Sequence, residues 1–169
     1  DGTLQDNRVP MSFNYNNSLT QTMYYPEEIG QLGVIQSVTY YTNFTENIGS
    51  KPTKLWMCET DSTNFTFGWT PYDSFVQVFD GNVNYPIGEN AVTITLEEPY
   101  LYEGGNLVIM AQRPWDDNAY PTTEYFLTDT TPEHLDRIIY NRDNTEEYDP
   151  MNPPDVFFAD DEFPNTTIY

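Results

Sequence analysis

Basic residues are scarce in this chain: six Lys and Arg stand against 27 Asp and Glu, a formal charge of −21 at pH 7. Such a surface repels nucleic acid and anionic membranes, which carry the same sign. It suits cations, neutral glycans or a salty exterior, and acidity also serves solubility alone. Cysteine occurs once, at Cys58, so an intrachain disulfide is impossible. Within Leu55-Trp56-Met57-Cys58 it reads as a small core hydrophobe rather than a nucleophile. Histidine also occurs once. His134 lies in Pro-Glu-His-Leu-Asp, with no nucleophile elbow near it, so a surface or capping role is expected rather than a Ser-His-Asp triad. There is no Gly-rich phosphate loop, no internal repeat and no apolar run of membrane-spanning length. The sequence opens at Asp1 without a signal peptide and reads as an excised module or mature fragment.

Aromatics are plentiful, with 14 Tyr and 10 Phe, far more than a disordered acidic segment carries. Thirteen Pro and nine Gly, scattered rather than repeated, suit many short strands with turns between them. At 169 residues one domain is expected: a polar lead over 1–10 that frays or links upstream, then a single module over 11–169.

The most informative stretch is Ala91 to Pro114. Val92, Ile94 and Leu96 alternate with Thr93 and Thr95, as in a strand with one wet face. Glu97 to Tyr102 reads as a polar-aromatic crossing, and Gly104-Gly105-Asn106 as a turn. Leu107 to Ala111 is apolar throughout, the pattern of a strand buried on both faces. Further strands are expected over 19–25, 34–41 (Val34, Val38 and Tyr40 sharing a face), 54–59, 75–79, 124–128, 137–140, 156–159 and 166–169. Thr42 to Pro52 and Asn141 to Asp155 read as loops, and Asp80-Gly81 as a turn. Pro26 to Gly30 and Pro132 to Leu135 carry the signature of a single helical turn. Eight or so strands without βαβ alternation point to an all-β, two-sheet antiparallel β-sandwich of jelly-roll type.

Several stretches from Met11 onward carry a likeness: SLTQTMYYPEEIG, IQSVTYY, KLWMCET, GWTPYDSFVQVFDG, AVTITLEEPYLYEGGNLVIM and RIIYNRDNTEEYDPMNPP. In this order they resemble a β-sandwich module of secreted, multidomain surface proteins of the Bacteroidetes and related anaerobes. The resemblance implies an extracellular or cell-surface location, type IX secretion and neighbouring modules in the same polypeptide. It transfers no catalytic set. The chain departs from the pattern in its acidity and in RPWDDNAY, where a Gly- or Ser-richer loop is usual. Asp61-Ser62-Thr63 and Asp129-Thr130-Thr131 match the O-glycosylation pattern of that phylum; the sequons at Asn16, Asn43, Asn64 and Asn165 matter only in a eukaryotic secretory route.

Two constellations bear on function. Asp116-Asp117-Asn118 and Asp160-Asp161-Glu162 each offer three oxygen-bearing side chains to a structural Ca²⁺, though the spacing is not that of an EF-hand and a solvated acidic loop has the same composition. Sugars stack their C–H faces on flat rings while their hydroxyls need carboxylates and amides. Trp115, Tyr120 and Tyr125 around Asp116 and Asp117 offer that mixture, and Trp69 with Tyr72 and Trp56 is a second set; Trp56 in a strand suits the core, and Trp69 a cap on the sandwich. A glycosidase pair cannot be singled out among so many acids. The expected function is therefore a non-catalytic carbohydrate-binding module taking a polysaccharide or glycan, with a structural or adhesive spacer, calcium-stabilised and contacting protein partners, as the alternative.

Overall fold

The structure is a computed structural model, described here over residues 3–130 and 136–169. The expected helical turn at Pro132 to Leu135, with His134, lies outside the described residues. Alternating burial sorts the strands into two antiparallel sheets, the sandwich expected from the sequence. The elements in order are β1 (Leu4–Asp6), β2 (Asn17–Tyr24), α1 (Pro26–Ile29), β3 (Gly33–Phe44), β4 (Gly49–Thr60) and a 3₁₀ turn (Tyr72–Ser74). There follow β5 (Val76–Tyr85), β6 (Gly88–Tyr102), β7 (Asn106–Arg113), β8 (Tyr125–Thr130), β9 (Ile138–Asp143), β10 (Phe158–Asp160), β11 (Glu162–Pro164) and β12 (Thr166–Ile168).

One sheet has the order β10-β9-β2-β7-β4-β5. In the other, β3 pairs with β6 along one edge and with β8 and β12 along the other, while β1 and β11 join β8. Between them Leu55, Met57, Leu107 and Ile109 of the first sheet meet Tyr40, Phe44, Val92, Ile94 and Phe126 of the second. Burying these side chains supplies the main drive to fold.

The two sheets differ on their outer faces. On β6, Thr93 and Thr95 face solvent while Val92, Ile94 and Leu96 are buried, as the alternation requires. In β2 and β7 nearly every side chain is buried, as expected of Leu107 to Ala111, because two loops cover that sheet from outside. Residues 61–75 and 144–157 close over Met23, Cys58, Val108 and Ile139 and over Leu19, Trp56 and Met110. Buried amides of the sheet hold them. Gln21 donates to Thr70 O (3.0 Å) and accepts from Thr70 N–H (2.8 Å); Gln112 donates to Tyr148 O (2.8 Å). Asn17 donates to Glu146 O (2.6 Å) and accepts from Tyr148 N–H (3.0 Å), and Asn141 donates to Val156 O. A polar residue on a buried face is stable only when so paired.

Several local expectations are corrected. The strand from Ala91 does not end at Leu96 but runs to Tyr102, because β3 supplies partners as far as Gly33. Gly104 and Gly105 then carry the chain across to the other sheet instead of closing a hairpin; Gly104 has φ of +110°, which favours glycine. A β-bulge between Ile35 and Ser37 switches the face of β3, so Val34 is exposed while Ile35, Val38 and Tyr40 are buried. Asp80-Gly81 lies within β5, and the expected loop over 42–52 shrinks to Thr45 to Ile48. Over its described residues the polar lead does not fray: Leu4, Gln5 and Asp6 pair with β8, and Val9 is fully buried. Pro26 to Gly30 is the single helical turn expected, closed by Gly30 at φ of +79°.

The C-terminal segment has a path of its own. β11 is antiparallel to β8 and β12 antiparallel to β3, while β3 and β8 are antiparallel to each other. The chain therefore reverses at Asn165, whose N–H donates to Leu127 O (2.9 Å), and fills the gap where β3 and β8 part.

Candidate functional site

All six basic residues are engaged by other residues of the protein, two of them buried and four half-buried. Arg113, at the end of β7, is 1% exposed. It donates to Ser12 O (3.3 Å), Tyr15 O and Asn118 O (2.7 Å), and pairs with Asp116 (3.0 Å) while lying 5.0 Å from the Phe13 ring centroid. Lys51 of β4 reaches the same Asp116 oxygen at 2.5 Å. Arg8 pairs with Asp6 and with Asp160 (3.1 Å), and Glu162 lies 3.8 Å away. Arg137 pairs with Glu28, Lys54 with Asp80 (3.3 Å), and Arg142 donates to Asn7 and Asn14. The surface is left to the acids.

Three of these cations, Arg8, Lys51 and Arg113, sit where the sequence offered metal ligands. Asp116 Oδ1 accepts from the backbone and side chain of Asn118 (3.0 and 2.9 Å), and Oδ2 is held by Lys51 and Arg113. Burial pushes the Asp116 carboxyl up, but the hydrogen bonds from Lys51 and Asn118 and the Arg113 charge outweigh it and hold it down, at about 2. Asp117 accepts from the Trp115 indole (2.9 Å). In the second cluster Asp160 and Glu162 face Arg8 alongside Asp6, and burial raises both carboxyls above their usual range, with the Asp6 charge adding to it. Among the described residues no three His, Cys, Asp or Glu side chains gather as metal ligands do. Asp116 Oδ2, Asp160 Oδ2 and Glu162 Oε1 thus face ammonium and guanidinium groups of the protein's own.

The aromatic candidates separate into three places. Trp115 is half-buried on the loop after β7, its backbone N–H donating to Glu147 (3.1 Å) and its indole to Asp117. Tyr120, also half-buried, packs edge-on to Phe13 with Lys51 5.1 Å above its ring. Trp115, Asp116, Asp117 and Tyr120 thus form one corner, tied together by Arg113 and Lys51. Tyr125 opens β8 opposite Asn43, half-buried. Trp69 lies on the loop that covers β2, β7 and β4, packed over Leu19, Trp56 and Met110.

Around Trp69 the loop folds into a groove. Asn64 Oδ1 accepts from Thr66 N–H (3.1 Å) and Gly68 N–H donates to Phe65 O (2.8 Å), a tight turn in which Gly68 adopts φ of +93°. The turn drives Phe65 into the layer over Met23 and Cys58 and leaves Phe67 fully exposed. Trp69 packs against Phe157 and donates its indole N–H to Pro154 O (2.9 Å). Phe67, Trp69, Ser62, Asn64, Thr70 and Ser74 line a groove of about 340 Å³. Phe67 carries no sequence signal as a site residue; only the turn geometry at Gly68 exposes it. Cys58 lies buried beneath, its thiol pushed up to about 12 by burial and then by the Glu59 charge, which disqualifies it as a nucleophile. Trp56 is core, as expected.

No helix among the described residues is long and apolar enough to cross a membrane. Compared with known proteins, the chain matches no family model and no curated sequence.

Proposed function

We propose that the protein is a non-catalytic carbohydrate-binding module of a secreted or surface-attached bacterial protein, and that its chain, which changes sheet at most connections, is wound as a jelly roll. The observation that carries the reading is the fully exposed ring of Phe67 beside Trp69 in a groove rimmed by Ser62, Asn64, Thr70 and Ser74. A ring left in water beside hydroxyls and an amide matches the mixed apolar and polar face of a sugar. The groove takes the weight from the Trp115 corner, where the carboxylates serve Arg113, Lys51 and the indole itself. The acidic surface directs the reading to neutral glycans.

The test is retention on gel-embedded or insoluble polysaccharides. Phe67→Ala removes an exposed ring, so it leaves the melting temperature unchanged while abolishing retention. A second reading, a structural or adhesive spacer between modules, is favoured by the internal hydrogen bonds of both the Trp69 and Trp115 indoles. It predicts no retention by the unaltered protein on any glycan.

A further inference from the structure

A second opening lies on another side of the sandwich. β5 pairs only with β4 and β6 only with β3 among the described residues, so each ends its sheet. Pro86 and Ile87 join them, and the two strand edges border a slot of about 460 Å³. Its lining includes the consecutive runs Asn82 to Asn84 of β5 and Asn90 to Thr95 of β6. An antiparallel edge strand turns the N–H and C=O of every second residue outward, a template for another strand. Neither run contains the Lys or Pro that commonly blunts such an edge. Glu97 accepts the Asp80 N–H at 3.1 Å, so a backbone donor of β5 is met by a side chain rather than by main chain.

We propose that this slot is a strand-acceptor site, taking an extended, basic segment of a partner polypeptide. The lining has the period of a strand: Val83, Val92 and Ile94 turn into the core, while Asn82, Asn84, Thr93 and Thr95 are exposed. An added strand with alternating side chains lays its apolar set on the valines and isoleucine and its polar set beside the Asn and Thr residues. A glycan has neither a row of amides nor that alternation. Asp80, Glu89, Glu97 and Glu98, all exposed, adjoin these two runs along β5 and β6, and Lys54 on the neighbouring strand is already paired with Asp80. Lys or Arg at the outward positions of the incoming segment complements these acids, whereas a second copy of a chain with charge −21 is repelled. The fold already uses the same device where β11 and β12 fill the gap between β3 and β8.

The probe is a fluorescein-labelled peptide, Lys-Val-Thr-Ile-Lys-Val-Thr-Ile-Lys, followed by anisotropy and amide hydrogen exchange on the full chain. The expected result is saturable binding, weakened by salt, with new protection confined to residues 82–84 and 90–95. Replacing its central Ile and Val by Pro, or its Lys by Glu, weakens binding on the order of tenfold or more. Asn84→Lys with Thr95→Lys, checked for an unchanged melting temperature, does the same to the parent peptide. Absence of binding, equal binding of the Pro peptide, or protection elsewhere overturns the proposal. Protection of these same amides by cellohexaose and not by the peptide also overturns it, in favour of a sugar cleft.

Discussion

Trp69 and Pro154 are joined by a hydrogen bond, the indole N–H donating to the proline carbonyl at 2.9 Å. With the packing of Trp69 on Phe157 it ties to each other the two loops covering β2, β7 and β4, each being separately held to the sheet by Gln21 or by Asn17, Gln112 and Asn141. Trp69→Phe keeps the ring on Phe157 and removes the donor. We expect a loss of about 1 kcal/mol in urea unfolding and faster hydrogen exchange in residues 61–75 and 144–157, with the sheet amides unaffected.

Arg113 holds the corner at the end of β7 by contacts to four residues, and no shorter side chain reproduces them. Arg113→Met leaves Asp116 with Lys51 alone and strands three carbonyls. Unfolding by denaturant should show a loss of about 3–5 kcal/mol, the scale for breaking a buried charged contact by removing one partner. Lys51→Met, which spares the guanidinium network, should cost clearly less.

Stability should peak on the acidic side of neutrality. Asp160 and Glu162 have folded pKa values raised by burial and by Asp6. A raised group is most stabilising when protonated, and that contribution is lost as pH rises through the folded pKa. Asp116 works in the opposite sense. Its folded value of about 2 lies below that of an unfolded aspartate, so its contribution is present above about pH 4 and lost as pH falls toward 2. The melting temperature should therefore rise as pH falls from 7 through the raised carboxyls of Asp160 and Glu162, and fall below about pH 4 as Asp116 protonates. Asp160→Asn should flatten the neutral limb and leave the acid limb in place; a curve that declines steadily from pH 7 would contradict the assignment.

Much of the architecture is legible in residue order because burial imposes a period on each strand. Val92-Thr93-Ile94-Thr95-Leu96 can face a core on one side only, and Leu107 to Ala111 must be covered on both. What covers it is not legible: Gln21, Gln112 and Asn17 look like surface residues until the loops they hold are in place. The bulge after Ile35 is likewise silent, because it depends on the partner strand, and it turns Val34 outward. The partners of the acidic clusters are hidden for a related reason: Lys51 and Arg113 meet at Asp116 from different strands, and Arg8 meets Asp160 and Glu162 from the other end of the chain. The exposure of Phe67 is not legible because Phe65, Phe67 and Trp69 alternate as the buried face of a strand would, and only the turn at Gly68 sends Phe65 inward and Phe67 out.

It follows that chelation should be without effect. A bound ion stabilises the folded state by mass action, whereas Asp116 already faces Lys51 and Arg113, and Asp160 and Glu162 face Arg8. Melting in excess EDTA and in added CaCl₂ should coincide; a downward shift with EDTA would place a metal at oxygens other than those already engaged.

The most direct measurement is affinity electrophoresis of the unaltered protein and Phe67→Ala through gels containing neutral soluble polysaccharides, with both melting temperatures recorded. The account predicts that at least one polysaccharide retards the unaltered protein, that Phe67→Ala migrates freely, and that both melt together. Equal retardation of the two proteins, or free migration of both in every gel, would contradict it.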